Sequence, residues 1–210
     1  MSIVNAWVGP ENAWVGVDTG ATHVDGVTRE ASKMVPLVHL PAVIAGRGCA
    51  AFLPAVVCNS MLKLLEFDEL AAAMPEILRE TFDDICKANT DAGKDLPADF
   101  DKETIVLVGW SRRRQKMLAF EYVQQNRESG FLSRSIGPYY FSPWIAGRPG
   151  PLFRHPLDSA SMIELAESQI CLIDEHAPDA AGGGRYLVAY FDKQRMSIET
   201  ICEDLGRRRS

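Results

Sequence analysis

The sequence predicts an α+β fold: a four-layer αββα sandwich in which two antiparallel sheets pack face to face and helices cover their outer sides. Strand-like runs come in groups, and the helical stretches form two separate blocks between them. This differs from the one-by-one alternation of a doubly wound parallel sheet. The repeated β-branched runs supply the inner faces of a sandwich. A length of 210 residues suits a single domain.

The first predicted element is a hairpin in which one pentad occurs twice. The pentad Asn-Ala-Trp-Val-Gly begins at Asn5 and again at Asn12, and the intervening Pro10 and Glu11 favour a turn. Two antiparallel strands would bring the chain start back beside Asp18, at the end of the second strand. A serine near the chain start beside a buried acid is a possible catalytic pair. An edge hairpin with an ordinary turn aspartate explains the same residues.

The next segments predict a loop, two strands and a glycine turn. Residues 19–26 are polar and contain glycine, which predicts a loop. Residues 32–38 and 40–45 are strand-like, and Pro36 favours a sheet edge for the first of them. The sequence Ala-Gly-Arg-Gly at 45–48 predicts a tight turn with exposed backbone N–H groups.

Two helices and a second hairpin are predicted in the middle of the chain. Residues 49–65 are mostly apolar, which predicts a buried helix. Asp68 is predicted to cap another helix that continues through residue 88, where apolar residues recur at helical spacing. The β-branched runs 104–110 and 116–123 predict a hairpin with an arginine-rich tip. A solvated turn explains such a tip better than a phosphate site does on an acidic protein.

The last part of the chain predicts strands, an irregular segment, a helix and a final hairpin. One or two strands are expected within residues 131–141. Residues 142–157 are rich in proline and glycine, which excludes a regular helix. A helix over 162–176 follows, and the runs 185–191 and 196–202 predict a closing hairpin.

Composition argues against several classes of function. The net charge of −6 gives no general attraction to nucleic acid, and no apolar run is long enough for a membrane span. The start of the chain lacks the basic and apolar regions of a secretion signal. The five cysteines form no C-x-x-C pair, and the four histidines lack metal-ligand spacing. We therefore expect no metal, no cofactor and a reducing, cytoplasmic location.

Several segments, taken in order, resemble the proteasome-type N-terminal nucleophile (Ntn) hydrolases, a family that includes the proteasome β subunits. The segments are the strand that ends at Asp18, the strand that carries Lys33, the glycine turn 45–48, the hairpin 105–122 and the loop from Asp179 to Gly183. The resemblance extends over about residues 2–202 and depends on their common order and spacing. It implies an Ntn-hydrolase fold, a peptide or amide substrate and a homo-oligomer or larger assembly.

The resemblance also implies four catalytic groups. Ser2 takes the place of the family's N-terminal threonine nucleophile, provided that Met1 is removed, and Asp18 and Lys33 match its acid and its lysine. Gly46 matches the residue whose backbone N–H holds the oxyanion. In this mechanism the free α-amine, with a pKa near ~8, acts as the base for its own hydroxyl. Lys33 favours the developing anion.

Two further residues match supporting positions, and departures from the family pattern leave a second function open. Asp179 matches an acid and Ser142 a serine of the supporting shell, although Pro143 replaces a flanking glycine. Gly182 stands where the family has a serine, and Ser2 replaces a threonine. Some members of the superfamily keep the fold without the chemistry. The alternative is therefore an inactive proteasome-like protein that serves in a ring, a complex or a viral particle.

Overall fold

The computed structural model describes residues 2–22, 28–37, 39–63, 65–96, 100, 102–143, 159–176 and 182–205. Within these ranges the protein is an α+β structure of antiparallel sheets and three helices, in agreement with the predicted fold class. The strands are β1 (Val4–Val8), β2 (Asn12–Asp18), β3 (Gly20–Thr22), β4 (Thr28–Glu30), β5 (Met34–Leu37), β6 (Ala42–Arg47), β7 (Thr104–Ser111), β8 (Lys116–Gln124), β9 (Phe131–Ser135), β10 (Tyr139–Ser142), β11 (Tyr186–Asp192) and β12 (Met196–Cys202). The helices are α1 (Phe52–Leu62), α2 (Phe67–Asp91) and α3 (Ser159–His176).

The strands form two five-stranded sheets and a separate two-stranded hairpin. One sheet has the order β10-β1-β2-β11-β12, the other has the order β5-β6-β7-β8-β9, and β3 pairs with β4. The predicted first hairpin is confirmed, because β1 and β2 pair antiparallel with Trp7 opposite Trp14. Pro36 lies in β5, an edge strand, where its missing N–H costs no hydrogen bond within the sheet.

Strand β1 contributes to two separate apolar layers because successive side chains point to opposite faces of a strand. Val4 and Ala6 pack in a cluster that joins the two large sheets. Ile3 and Trp7 pack in a second cluster with side chains of α3. A third cluster joins α1 and α2 to the sheet that contains β7. The start of the chain is therefore buried on both sides, and its backbone is fixed by its neighbours.

Two local predictions are wrong. The predicted loop at 19–26 begins with β3, which pairs with β4. Asp68 does not cap α2. Glu66 precedes the helix and forms a capping box with Glu69, in which each side chain accepts from the other residue's backbone N–H. Asp68 instead accepts a hydrogen bond of 2.6 Å from the Ser111 hydroxyl.

The described part of the chain contains no helix that combines the length and apolar character needed to cross a membrane. Of the predicted irregular segment 142–157, only Ser142 and Pro143 lie within the described ranges. Ser142 is the last residue of β10.

Candidate functional site

The start of β1 lies beside the end of β2, and this register brings the chain start to Asp18. Val4 pairs with Val17, one residue before Asp18. The backbone N–H of Ile3 donates a hydrogen bond of 2.8 Å to Oδ1 of Asp18. Ser2 immediately precedes Ile3, so it lies next to this carboxylate. The predicted approach of Ser2 to Asp18 is thus present in the backbone.

Asp18 is a fully buried carboxylate that holds three parts of the chain together. Lys33 Nζ lies 2.9 Å from Oδ1 of Asp18, and the N–H of Gly183 donates to Oδ2 at 3.1 Å. Lys33 Nζ also donates to the carbonyl oxygen of Gly20. Both charged side chains are buried, at 0% exposure for Asp18 and 7% for Lys33. The site therefore contains a buried ion pair, with both charges hydrogen-bonded.

Burial dominates the proton affinities of this pair. Loss of hydration raises the pKa of Asp18, although attraction to Lys33 and the hydrogen bonds from Lys33, Ile3 and Gly183 oppose the rise. Loss of hydration lowers the pKa of Lys33 against the pull of Asp18, and the nearby charge of Arg47 lowers it further. The pKa values of Asp18 and Lys33 therefore lie closer together than those of an exposed pair.

The glycine turn after β6 differs from its predicted role. The N–H of Gly46 donates to the carbonyl oxygen of Lys33 at 2.9 Å, which extends the pairing of β6 with β5 to the residue before β5. Gly46 therefore does not have a free N–H for an oxyanion, and the role predicted for it does not fit the structure. Gly48 is exposed and has φ +124°, and its N–H has no hydrogen-bond partner among the described residues.

A Cβ at Gly48 would lie 2.1 Å from Oε2 of Glu103, so the close approach of this buried carboxylate also requires glycine. Glu103 accepts the N–H of Cys49 at 2.8 Å, which fixes the backbone directly after Gly48. The sequence contained the signal for Gly48, because it is the second glycine of the same turn.

Ser142 lies near the site, and it is held by Arg47, a residue that no sequence motif indicated. Ser142 pairs with Val4 across β10 and β1 and accepts a hydrogen bond from the Arg47 guanidinium. Arg47 is half-buried, and its charge acts on Lys33. Asp179 lies outside the described residues. Of the six predicted site residues, the structure therefore places Ser2, Asp18, Lys33, Gly46 and Ser142 at neighbouring strand ends.

A buried polar network lies behind the site and ties its strands to α3. Asn5 donates to the Gln169 side chain at 2.7 Å and to the Tyr186 hydroxyl at 3.0 Å. Gln169 donates back to Asn5 at 3.0 Å. Tyr186 pairs with Asp18 across β11 and β2, and its burial raises the pKa of its hydroxyl. These bonds fix β1 against β11 and α3, which limits movement of the chain start.

Other potential reactive groups in the described ranges are not assembled into a metal site. No group of three or more His, Cys, Asp or Glu side chains within those ranges is placed to hold a metal ion. The Ser2 hydroxyl has no hydrogen-bond partner among the described residues, so Lys33 is near the chain start without being bonded to that hydroxyl. What the arrangement offers chemically is a hydroxyl, a buried ammonium–carboxylate pair and a free backbone N–H at adjacent strand ends.

Two solved structures that are similar to this chain are Anbu proteins. An Anbu (Gly-1) mutant from Hyphomicrobium sp. strain MC1 has a TM-score of 0.64 and 12% sequence identity, covering 96% of this chain and 87% of that chain. Anbu (ancestral beta-subunit) from Yersinia bercovieri has a TM-score of 0.63 and 15% identity, covering 94% of this chain and 86% of that chain. Neither a scan against protein-family models nor a search of curated proteins finds a match.

These neighbours correct the family indicated by the sequence. The sequence segments resemble the proteasome-type Ntn hydrolases, and the proteasome β subunits in particular, whereas the structural neighbours are Anbu proteins, which are proteasome-like but distinct. The assignment to the proteasome-type Ntn hydrolase family is therefore wrong. At 12–15% identity the likeness shows the fold alone, which is a proteasome-like fold.

Proposed function

We propose that the protein is an Ntn amide hydrolase in which Ser2 becomes the nucleophile once Met1 is removed. The observation that carries this proposal is the junction of the chain start with the buried Asp18–Lys33 pair, made by the 2.8 Å bond from Ile3 and the 2.9 Å ion pair. A buried ion pair adds little net stability because desolvation of both charges offsets their attraction. Strongly perturbed charges beside a serine are typical of functional sites.

The proposed reaction has two steps and needs no cofactor. The free α-amine of Ser2 accepts the hydroxyl proton while Oγ attacks the amide carbonyl carbon, and the amine then gives this proton to the leaving nitrogen as the C–N bond breaks. Water next attacks the acyl ester, adds hydroxide to the acyl carbon and returns a proton to Oγ. The Lys33 ammonium stabilises the negative charge that develops on Oγ.

In this proposal the oxyanion is held by Gly48 instead of Gly46. Its N–H is the first unpartnered one after β6 among the described residues, whereas the N–H of Gly46 is bonded to Lys33. One such donor contributes about 3 kcal/mol to stabilisation of the transition state. The same proposal assigns Ser142 and Arg47 to the support of the site, and Asp179 to the same supporting shell.

Four broader features accompany the proposal. We infer that the layers follow the order α1 and α2, sheet, sheet, α3, which is the αββα sandwich, because the three apolar clusters join these layers in turn. We also infer a homo-oligomer or a larger assembly, as the proteasome-like neighbours suggest, and a cytoplasmic location. Residues 1–210 then form one domain.

A second candidate is an inactive protein with an assembly role, and two observations favour it. The engaged N–H of Gly46 and the unbonded Ser2 hydroxyl are what a site without catalytic chemistry would contain. In that case the Asp18–Lys33 pair holds three strand ends together and does no chemistry. The two candidates differ in the state of residue 1 and in the reactivity of Ser2.

The test combines intact mass with a β-lactone, an electrophile that acylates an activated hydroxyl. We expect the purified protein to lack Met1 and to gain the mass of one lactone, with the adduct on Ser2. Ser2→Ala should gain none, and Ser197→Ala, which removes an exposed hydroxyl on β12, should be labelled like the wild type. Retention of Met1 together with no labelling would rule out the hydrolase and leave the assembly role.

A further inference from the structure

A cleft lies at the end of the molecule opposite Asp18, between edge strands of the two large sheets. Its volume is about 480 Å³, and it is lined by β5, by the turn before β6 and by the β11–β12 hairpin. Strand β11 runs from Tyr186, which pairs with Asp18, to Asp192 beside the cleft. Six residue steps along a strand separate the two ends by about 20 Å. The cleft is thus remote from Ser2.

The rim of the cleft is positively charged on a chain whose net charge is −6. Lys193 and Arg195 line it, and neither forms an ion pair with a carboxylate among the described residues. Lys193 Nζ lies 5.6 Å from the ring centroid of Trp110, which positions its charge at the rim. Asp192 is the neighbouring acid, and its Oδ1 already accepts the N–H groups of Gln194 and Arg195 at 2.6 and 2.8 Å.

The walls of the cleft are apolar. Leu37 is fully buried at its base, and Pro36 and Pro41 form one side. Met196 and Ile198 form the other side, and they share a face of β12 because they are two residues apart. Ile198 is 41% exposed, which is high for a large apolar side chain on a strand. A ligand with an apolar side chain would cover this surface.

Strand β12 also presents a backbone edge beside the cleft that pairs with no strand in the described part of the chain. It is the last strand of its sheet, and β11 occupies its other side. The N–H of Asp192 donates to the carbonyl oxygen of Arg195 at 2.9 Å, so Arg195 faces β11. In an antiparallel pair this orientation alternates, and the N–H and C=O of Ile198 therefore point away from β11. Strand β5 is a poorer template because Pro36 lacks an N–H.

We propose that this cleft binds an extended peptide segment in which acidic side chains alternate with apolar ones, and that the segment adds to β12 as a further strand. Backbone hydrogen bonds to the free edge would supply affinity, and pockets for alternate side chains would supply selectivity. An apolar side chain packs on Ile198 within the cleft, and the carboxylates lie against Lys193 and Arg195. This function goes beyond amide hydrolysis and does not depend on Ser2.

Fluorescence anisotropy with a short labelled peptide of alternating glutamate and isoleucine, acetylated and amidated at its ends, tests the proposal. The full chain should bind it saturably, and Lys193→Glu/Arg195→Glu should weaken binding by about tenfold or more. Lys102→Glu/Arg127→Glu makes the same charge change at exposed positions near the other end of the sheet, and it should leave the affinity within about twofold. Equal weakening by both double variants, or no saturable binding, would overturn the proposal.

Backbone methylation separates strand addition from attraction between charges. Two versions of the peptide, methylated on alternate sets of backbone nitrogens, keep every side chain. One version should lose about tenfold or more in affinity, and the other should bind like the parent peptide. Equal binding by both methylated peptides would exclude addition to β12. Sedimentation without peptide completes the test, because an oligomer that Lys193→Glu/Arg195→Glu dissociates would identify the cleft as a contact between copies of this chain.

Discussion

Asp18 and Asp192 are carboxylates at opposite ends of the same pair of strands, and their environments shift their proton affinities in opposite directions. Asp18 ends β2 opposite Tyr186, and Asp192 ends β11 opposite Asn12. Each accepts two backbone N–H groups. Burial raises the pKa of Asp18, whereas the N–H groups of Gln194 and Arg195 lower the pKa of Asp192. Because both carboxylates accept two backbone N–H groups, their different exposure to water decides whether the pKa rises or falls.

The difference explains how the two ends are built. At the buried end a carboxylate needs a cation inside the protein, and Lys33, the residue before β5, supplies it. At the exposed end water stabilises the charges, and Lys193 and Arg195 stay free to meet a ligand. A buried charge is thus suited to chemistry on a fixed group, and an exposed one is suited to recognition.

The largest effect is expected when the buried pair is broken. Lys33→Met leaves the Asp18 carboxylate buried without its cation, which should lower the free energy of unfolding by about 3–5 kcal/mol. Urea denaturation followed by far-UV circular dichroism measures this change. Lys63→Met is the matched control, because Lys63 pairs with Glu80 3.3 Å away on the surface. This change should cost less than about 1 kcal/mol.

A double variant distinguishes the charge from the packing. Asp18→Asn/Lys33→Met removes both charges, so its loss of stability should be smaller than the sum of the two single losses. Strictly additive losses would show that the two side chains act independently. The buried pair would then not explain why three strand ends meet at this point.

The first hairpin and the approach of the chain start to Asp18 were within reach of the sequence because they depend on local pattern. The repeated pentad and its turn predicted a hairpin, and the hairpin register placed the chain start beside Asp18. Lys33 was indicated only by the resemblance of its segment to the lysine-bearing strand of the Ntn hydrolases. A pattern of this kind lies within one short segment, so it can be recognised without knowledge of the rest of the fold.

The remaining site residues depend on contacts between distant segments. Which glycine N–H stays free is decided by the pairing of β6 with β5, where Gly46 is bonded and Gly48 is not. Arg47 reaches Ser142 across the two sheets, and no local pattern specifies that contact. The family was also misassigned, because short strand and turn segments are common to proteasome-like folds that differ elsewhere.

The pKa values of the two carboxyl groups should lie on opposite sides of 3.8, the ordinary value for an aspartate, with Asp18 above it and Asp192 below it. A raised folded pKa means that the stability from Asp18 is fully present below its unfolded pKa and is lost as the pH rises through the folded pKa. For Asp192 the contribution is present above the unfolded pKa and is lost as the pH falls through the folded pKa. Carbon-detected NMR of the carboxyl groups measures both values. A pKa of Asp18 below 3.8 would mean that Lys33 outweighs burial.

The smallest effect is expected at the exposed end. Asp192→Ala removes the acceptor for the N–H groups of Gln194 and Arg195, and water replaces it, so the loss at neutral pH should be below about 1 kcal/mol. The loss should shrink in acid, where the wild-type carboxyl is itself protonated. Asp192→Asn keeps an oxygen acceptor and should restore most of the stability, while removal of the charge beside Lys193 and Arg195 should tighten binding of the acidic peptide. An unchanged affinity in Asp192→Asn would mean that the Asp192 carboxylate does not repel the acidic peptide. Lys193 and Arg195 would then attract the peptide without opposition from Asp192.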